Sequence, residues 1–367
     1  MSMTTFGTAD PKTQKKWSGE LAVDTRKRSY FEGRFVGTSN NHIIQRKTEL
    51  ESDAGDRISF DLVVQMRNQP TFGDDRLEGK EESLKFYTDE VRIDQVRHGV
   101  SAGGKMTRKR VAHDLRMTAK ERLGDYFARL LDEFMFMYLA GSRGINEDTI
   151  LPPGYQGFAG NPLQAPDADH IIYGGSAVSK ATLTTSDKMS RTVIEKALNK
   201  AEMMQARNPE TANMVPVDND SEGNYVLLMT PDQAFDLRNS DTSGWLDIQK
   251  AAAAAEGRNN PIFKGGLGMI GGAVLHSHRS QIRFNDYGAS GNVAAARATL
   301  LGRQALVVAY GTSGGLRYSW SEETKDHGNE PVVASGFIGG MKKTRFNGKD
   351  FGVISIDTAA KDPNATI

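Results

Sequence analysis

The chain has 367 residues, with 46 basic against 46 acidic side chains and no cysteine, which is enough length for two or three domains and a sizeable core. Balanced charge excludes a global pull toward nucleic acid or anionic membrane, and the missing cysteines exclude disulfides, thiolate nucleophiles and cysteine-ligated zinc or iron–sulfur sites. The opening stretch MSMTTFGTADPKTQKKW lacks an apolar signal core, and no run approaches the roughly 18 apolar residues of a membrane span, so the expectation is a soluble protein made inside the cell.

Residues 1–45 are polar and basic, with scattered anchors at Trp17, Leu21, Tyr30, Phe31 and Phe35, and read as an arm. From Arg57 to Met66 apolar residues alternate (Ile58, Phe60, Leu62, Val64, Met66), the period of a strand buried on one face. A second strand-like run spans Leu84 to Val96, and between the two lies RNQPTFGDDRLEGKEE, with five acids, two glycines and a proline. Fully extended, such a hairpin has about 19 residues per leg, or roughly 60 Å. A compact chain of this length has a radius of gyration of about 21 Å, so a straight ribbon leaves its own subunit.

The stretch DLRMTAKERLGDYFARLLDEFMFMYLAG predicts a long helix. Asp114 or Thr118 is its candidate cap, Gly141 its end, and Leu123, Phe127, Leu130, Phe134, Met137 and Tyr138 its apolar stripe. Residues 142–187 are rich in turns. A helix follows near Arg191 to Arg207, then a buried strand Tyr225–Met229 and a helix opened by Pro231. The alanine run Ala251–Ala255 predicts another helix. Beyond Leu316 the pattern is of several strands, with turns at Gly328, Gly339-Gly340 and Asn347-Gly348.

Residues 265–272, GGLGMIGG, place Gly266, Gly268 and Gly271 in the G-x-G-x-x-G spacing of a dinucleotide site. That chemistry needs a strand before the turn and a helix after it, so that unpaired N–H groups and the helix dipole meet a pyrophosphate. Only two apolar residues precede this turn, and Ala273–His278 behind it reads as a strand, so a plain glycine-rich connection is expected. Asp218–Gly223 opens like a calcium loop, yet Met229 stands where the bidentate glutamate belongs. His276 and His278 alternate without a third ligand at motif spacing. No nucleophile–base motif, zinc-protease motif or phosphate loop is present, so neither a catalytic residue, a cofactor nor a metal is assigned.

The order of these features, and the wording of seven segments, resembles the major capsid proteins of tailed phages. These segments are Asn40–Gln45, LEGKEESLKFY at 77–87, IDQVRHGV at 93–100, DLRMTAKERL at 114–123, NPIFKGGLGMIGG at 260–272, SWSEETKDHGN at 319–329 and GFIGGMKKTRFNGKDFGVISIDT at 336–358. The similarity is to the family typified by the podovirus N-four. His327, where an aromatic residue is expected, and the alanine run depart from it. The resemblance implies an α+β fold of the Hong Kong ninety-seven type. Its parts would be an N-terminal arm (1–45), an extended loop hairpin (46–100), a peripheral domain with a spine helix (101–141 and 316–367) and a mainly axial domain (142–315).

It also implies a structural protein, not an enzyme, that assembles as hexamers and pentamers into an icosahedral head around double-stranded DNA. Portal, scaffolding and decoration proteins are the further partners, DNA is contacted without sequence specificity, no membrane is involved, and assembly takes place in the host cytoplasm. The competing readings are a nucleotide-binding enzyme using Gly266, Gly268 and Gly271, and a nucleic-acid-binding protein using the basic arm with Lys105, Arg108, Lys109 and Arg110. For subunit contact the expectation is electrostatic. The loop acids Asp74, Asp75, Glu78, Glu81 and Glu82 of one copy would meet Arg108, Lys109 and Arg110 of the next.

Overall fold

The computed structural model describes residues 28–51, 55–63, 66–101, 103–110, 115–208, 211–217, 223–240 and 266–364. The alanine run, Asp114 and residues 218–222 of the calcium-like segment lie outside the described residues.

A rod helix, Leu115–Ala140, is the axis of the molecule. Its 26 residues span about 39 Å at 1.5 Å per residue. The six stripe residues read from the sequence are all buried, but from Leu130 to Gly141 every residue is buried, so the second half is enclosed on all faces. The run LLDEFMFMYLA is apolar around nearly its whole circumference, which is the pattern of a core helix and not of a surface stripe. Thr118 lies inside the helix and does not cap it. Gly141 ends it in a left-handed conformation (φ +69°), with its own N–H and that of Ser142 both donating to the Met137 carbonyl.

Two sheets pack on the rod. In the six-stranded sheet, Ile44–Lys47 runs parallel to Leu306–Tyr310, which pairs antiparallel with the 14-residue strand Glu330–Lys343; Ser319–Lys325 and Asp94–Ser101 pair with that same long strand. The expected turn at Gly339-Gly340 is therefore corrected: both glycines lie inside a continuous strand. They are there for close approach, since a Cβ on Gly340 would sit 1.8 Å from the Arg92 carbonyl oxygen. The expected turn at Gly328 is where Ser319–Lys325 reverses into Glu330–Lys343, with Asp326, His327 and Gly328 all at positive φ.

The seven-stranded sheet has Tyr225–Met229, Ala273–Ser277, Val293–Leu301 and Val353–Ala359 as its central members, covered by helices Arg191–Arg207 and Pro231–Ser240. Here the G-x-G-x-x-G spacing resolves into a β-hairpin. Gly268–Ile270 and Ala273–Ser277 pair antiparallel across a Gly271-Gly272 turn, both glycines at positive φ, so a strand follows where a nucleotide site needs a helix. The strands beyond Leu316 do not stay together: Ser319–Lys325 and Glu330–Lys343 join the first sheet, and Val353–Ala359 the second.

Residues 28–45, expected as arm, are built into the body. Phe31, Phe35, Ile43 and Ile44 are buried against Phe136 and the six-stranded sheet, because aromatic anchors without period still supply core volume. The extended hairpin proper is shorter than its 46–100 reading. Its ladder pairs Arg57–Val63 with Phe86–Arg92. The expected single strand Leu84–Val96 breaks at Ile93, and Asp94–Ser101 enters the six-stranded sheet.

Candidate functional site

The loop joining the hairpin strands carries its large apolar side chains outward: Phe72 is 76 % exposed and Met66 68 %, with Leu77, Leu84 and Phe86 also exposed. Side chains of this kind gain free energy only by covering a second surface, at roughly 25 cal/mol per apolar Å². The five predicted acids divide. Glu82 turns inward on the loop, its Oε2 accepting from the N–H groups of Arg67 (2.7 Å) and Asn68 (2.8 Å), and so ties the two legs. Glu81 accepts from the Gly79 N–H at 2.7 Å. Asp75 stands 3.9 Å from Lys80, while Asp74 and Glu78 have no hydrogen-bond or ion-pair partner among the described residues.

The basic segment forms a short helix, Lys105–Arg110, whose first N–H donates to Asn329 Oδ1 at 3.0 Å from the reversal at Asp326–Asn329. Lys109 and Arg110 are exposed; the Arg108 side chain lies outside the described residues. Among the described residues no ion pair or hydrogen bond joins the acidic loop to this helix within one subunit.

Two buried carboxylates that fix neighbouring segments went unread in the sequence, though an acid pair inside an apolar run was a visible signal. Asp132 of the rod accepts from Ser29 Oγ (2.7 Å) and from the N–H groups of Tyr30 (2.9 Å) and Phe31 (3.3 Å), so it holds residues 29–31 to the rod. Glu133 accepts from the Ile150 N–H at 2.9 Å and holds the next loop. Burial pushes the Asp132 carboxyl up to about 6, against the pull of the three donors and with a further push from Glu32. His276 and His278 surround Tyr30: Nδ1 of His276 is 2.9 Å from the Tyr30 hydroxyl, and the His278 ring stacks on Phe136 at 4.8 Å. Burial, helped by Arg279 and Arg34, drives His278 down to about 4.

These shifts have opposite signs. A carboxyl held above its unfolded value of 3.8 contributes stability that is fully present below that value and is lost as pH rises through about 6. A histidine held below 6.5 contributes stability present above 6.5 and lost as pH falls through about 4. The Asp132→Asn subunit is therefore expected to lose less stability than the native subunit as pH is raised from 5 to 7.5, as followed by thermal unfolding. Parallel pH profiles for the two proteins would show that Asp132 does not titrate in this window.

The surroundings of this chain among known proteins are consistent along its whole length. A model of the family described as phage capsid protein matches residues 5–362. The major capsid protein of Pseudomonas phage KPP25 is 27 % identical over 389 residues, covering 97 % of this chain and 98 % of that protein. Among solved structures, the capsid of Ralstonia phage GP4 is similar at 69 % identity with a TM-score of 0.88, each chain fully covered. The capsid asymmetric unit of cyanophage Pam1 is similar in fold, with a TM-score of 0.71 at 22 % identity, covering 98 % of this chain and 99 % of that one.

Proposed function

The chain belongs to the phage capsid protein family, and from that premise we propose how it builds a phage head. It is a major capsid protein of the Hong Kong ninety-seven type, a structural component of the virion that assembles with copies of itself into a shell. Beyond this, its subunits form hexamers and pentamers that close into an icosahedral head around double-stranded DNA. Equal numbers of acids and bases suit a wall that touches packed DNA without sequence preference. The chain performs no catalysis; assembly runs in the host cytoplasm, away from membranes, with portal, scaffolding and decoration proteins as partners. In this reading the rod helix and six-stranded sheet are the peripheral domain, and the seven-stranded sheet is the axial domain. Residues 1–27 of the expected arm lie outside the described residues.

The observation that carries this reading is the extended hairpin, whose connecting loop leaves Met66, Phe72 and Leu77 uncovered. A heterologous contact of this kind, repeated by rotation, closes rings and shells. The acidic loop, with a local charge of about minus three at neutral pH, docks beside the basic helix of a neighbour. Each exposed pair contributes under about 1 kcal/mol, but it recurs at every contact. Reversing Lys109 and Arg110 together with Arg108 to Glu is expected to block shell closure while leaving the subunit folded. Adding Asp74→Lys, Asp75→Lys and Glu78→Lys is expected to restore part of it. Electron microscopy at low and high salt reads the outcome. A combined variant that closes no better than either parent sinks the pairing, as does a shell in which the segments lie beyond about 8 Å, the Debye length at physiological salt.

A further inference from the structure

Arg92 is the last ladder residue of the extended hairpin, and both its backbone groups are held by one buried side chain. Asn161 accepts from the Arg92 N–H through Oδ1 at 3.0 Å and donates through Nδ2 to the Arg92 carbonyl at 2.8 Å. A side-chain amide thus takes the place of a strand neighbour on the free side of the last ladder pair. Asn161 is only 3 % exposed, and it is itself fixed by the rod helix. The Tyr138 hydroxyl donates to the Asn161 carbonyl at 2.7 Å and accepts from the Phe158 N–H at 2.7 Å, so the small hairpin Gly157–Phe158/Asn161–Pro162 is pinned at both strands. Lys342, at the end of the long strand Glu330–Lys343, reaches the same root, donating to the Asp89 carboxylate and to the Glu90 carbonyl. The rod, the small hairpin and the long strand therefore converge on residues 89–92 at the root of the extended hairpin.

We propose that this bracket sets the angle between the extended hairpin and the rod helix, and that Asn161 is thereby a determinant of shell curvature. The proposal rests on the shell reading above and deepens it, the partner being a second copy of this chain. The physical ground is leverage. The exposed loop residues Met66, Phe72 and Leu77 lie past the far end of the ladder from Arg92, so a small rotation at the root displaces that surface, and each displacement repeats around a closed ring. Bending of the hairpin between subunits in non-equivalent positions must then begin beyond the Phe60–Asp89 pair, because Arg92 is held on both backbone groups, Asp89 accepts from Lys342 and from the Arg345 N–H, and Phe60 packs on Phe346.

The test is Asn161→Ala in the full chain, assembled under conditions in which the native chain closes, with Pro162→Ala as a control on the exposed side of the same small hairpin. Particle diameters are measured by electron microscopy, and thermal unfolding of the soluble subunit is measured alongside. The expected result is a folded Asn161→Ala subunit for which closed particles of native diameter become the minority, while Pro162→Ala keeps the native distribution. An unchanged diameter distribution for Asn161→Ala overturns the proposal. Should that variant yield no folded subunit, a map of the native shell decides: both Asn161–Arg92 hydrogen bonds intact in every non-equivalent subunit supports the bracket, and an open pair in any of them overturns it. A native chain that closes no particles at all strikes at the shell reading, and the bracket falls with it.

Discussion

Replacing Arg297 by methionine will destabilise the subunit by roughly 3 to 5 kcal/mol, the cost of leaving a buried charge without its partner. Arg297 is 6 % exposed and Asp357 is fully buried. Their contact is bidentate, Nε to Oδ1 and Nη2 to Oδ2, both at 2.7 Å, and the Tyr287 hydroxyl donates to the same carboxylate at 2.7 Å. The remaining donor, Nη1, reaches the Ala140 carbonyl at 2.8 Å, the last residue of the rod. One guanidinium therefore joins the seven-stranded sheet, through paired strands Val293–Leu301 and Val353–Ala359, to the end of the rod helix. Methionine fills the space but leaves Asp357 charged and Ala140 without this donor. The companion change Asp357→Leu in the same chain is expected to recover part of the loss, since a matched apolar pair carries no desolvation cost. Urea unfolding of the single and double variants measures this. An Arg297→Met subunit within about 1 kcal/mol of native, the range of an exposed pair, would show that the charges are solvated in the folded protein.

The features legible from sequence were those whose signal is local. Helix Arg191–Arg207 and strand Tyr225–Met229 stand where periodicity and length put them, because 3.6-residue and short apolar runs carry their own boundaries in Pro, Gly and polar flanks. The Arg57 strand and the rod were equally plain. What escaped was decided by partners far along the chain. The apolar pattern passes through Ile93 without a break. The strand nevertheless changes sheets there, because the Ile93 N–H donates to the Asp56 carbonyl and Asn161, 69 residues away, takes up both backbone groups of Arg92. Gly339-Gly340 has the composition of a turn, yet its cause is the approach of the Arg92 carbonyl, which no local window contains. At the contact surface, the net charge of the loop was readable, but not that Glu82 and Glu81 spend their carboxylates on the loop's own N–H groups. Composition counts charges; only geometry says which remain free.

The same rod end carries a second large effect, of backbone origin. Gly141→Ala is expected to cost about 2 to 6 kcal/mol, combining two terms. A side chain held at φ +69° is strained by roughly 1 to 3 kcal/mol. The added Cβ would also lie 1.9 Å from the Gln164 carbonyl oxygen, with Ala165 Cα at 3.0 Å, so backbone must move to admit it, at a further cost of about 1 to 3 kcal/mol. Moving Gln164 would disturb the segment just beyond Asn161–Pro162, so the damage passes toward the root of the extended hairpin. Gly328→Ala separates the two terms. Gly328 also has positive φ, +89°, but nothing lies within 4 Å of a Cβ built on it, so its alanine variant should show the strain alone. Thermal or urea unfolding of the two soluble subunits makes the comparison. Equal losses at both positions would mean that Gln164 yields freely, and that the close packing at the end of the rod contributes nothing to holding the helix where it is.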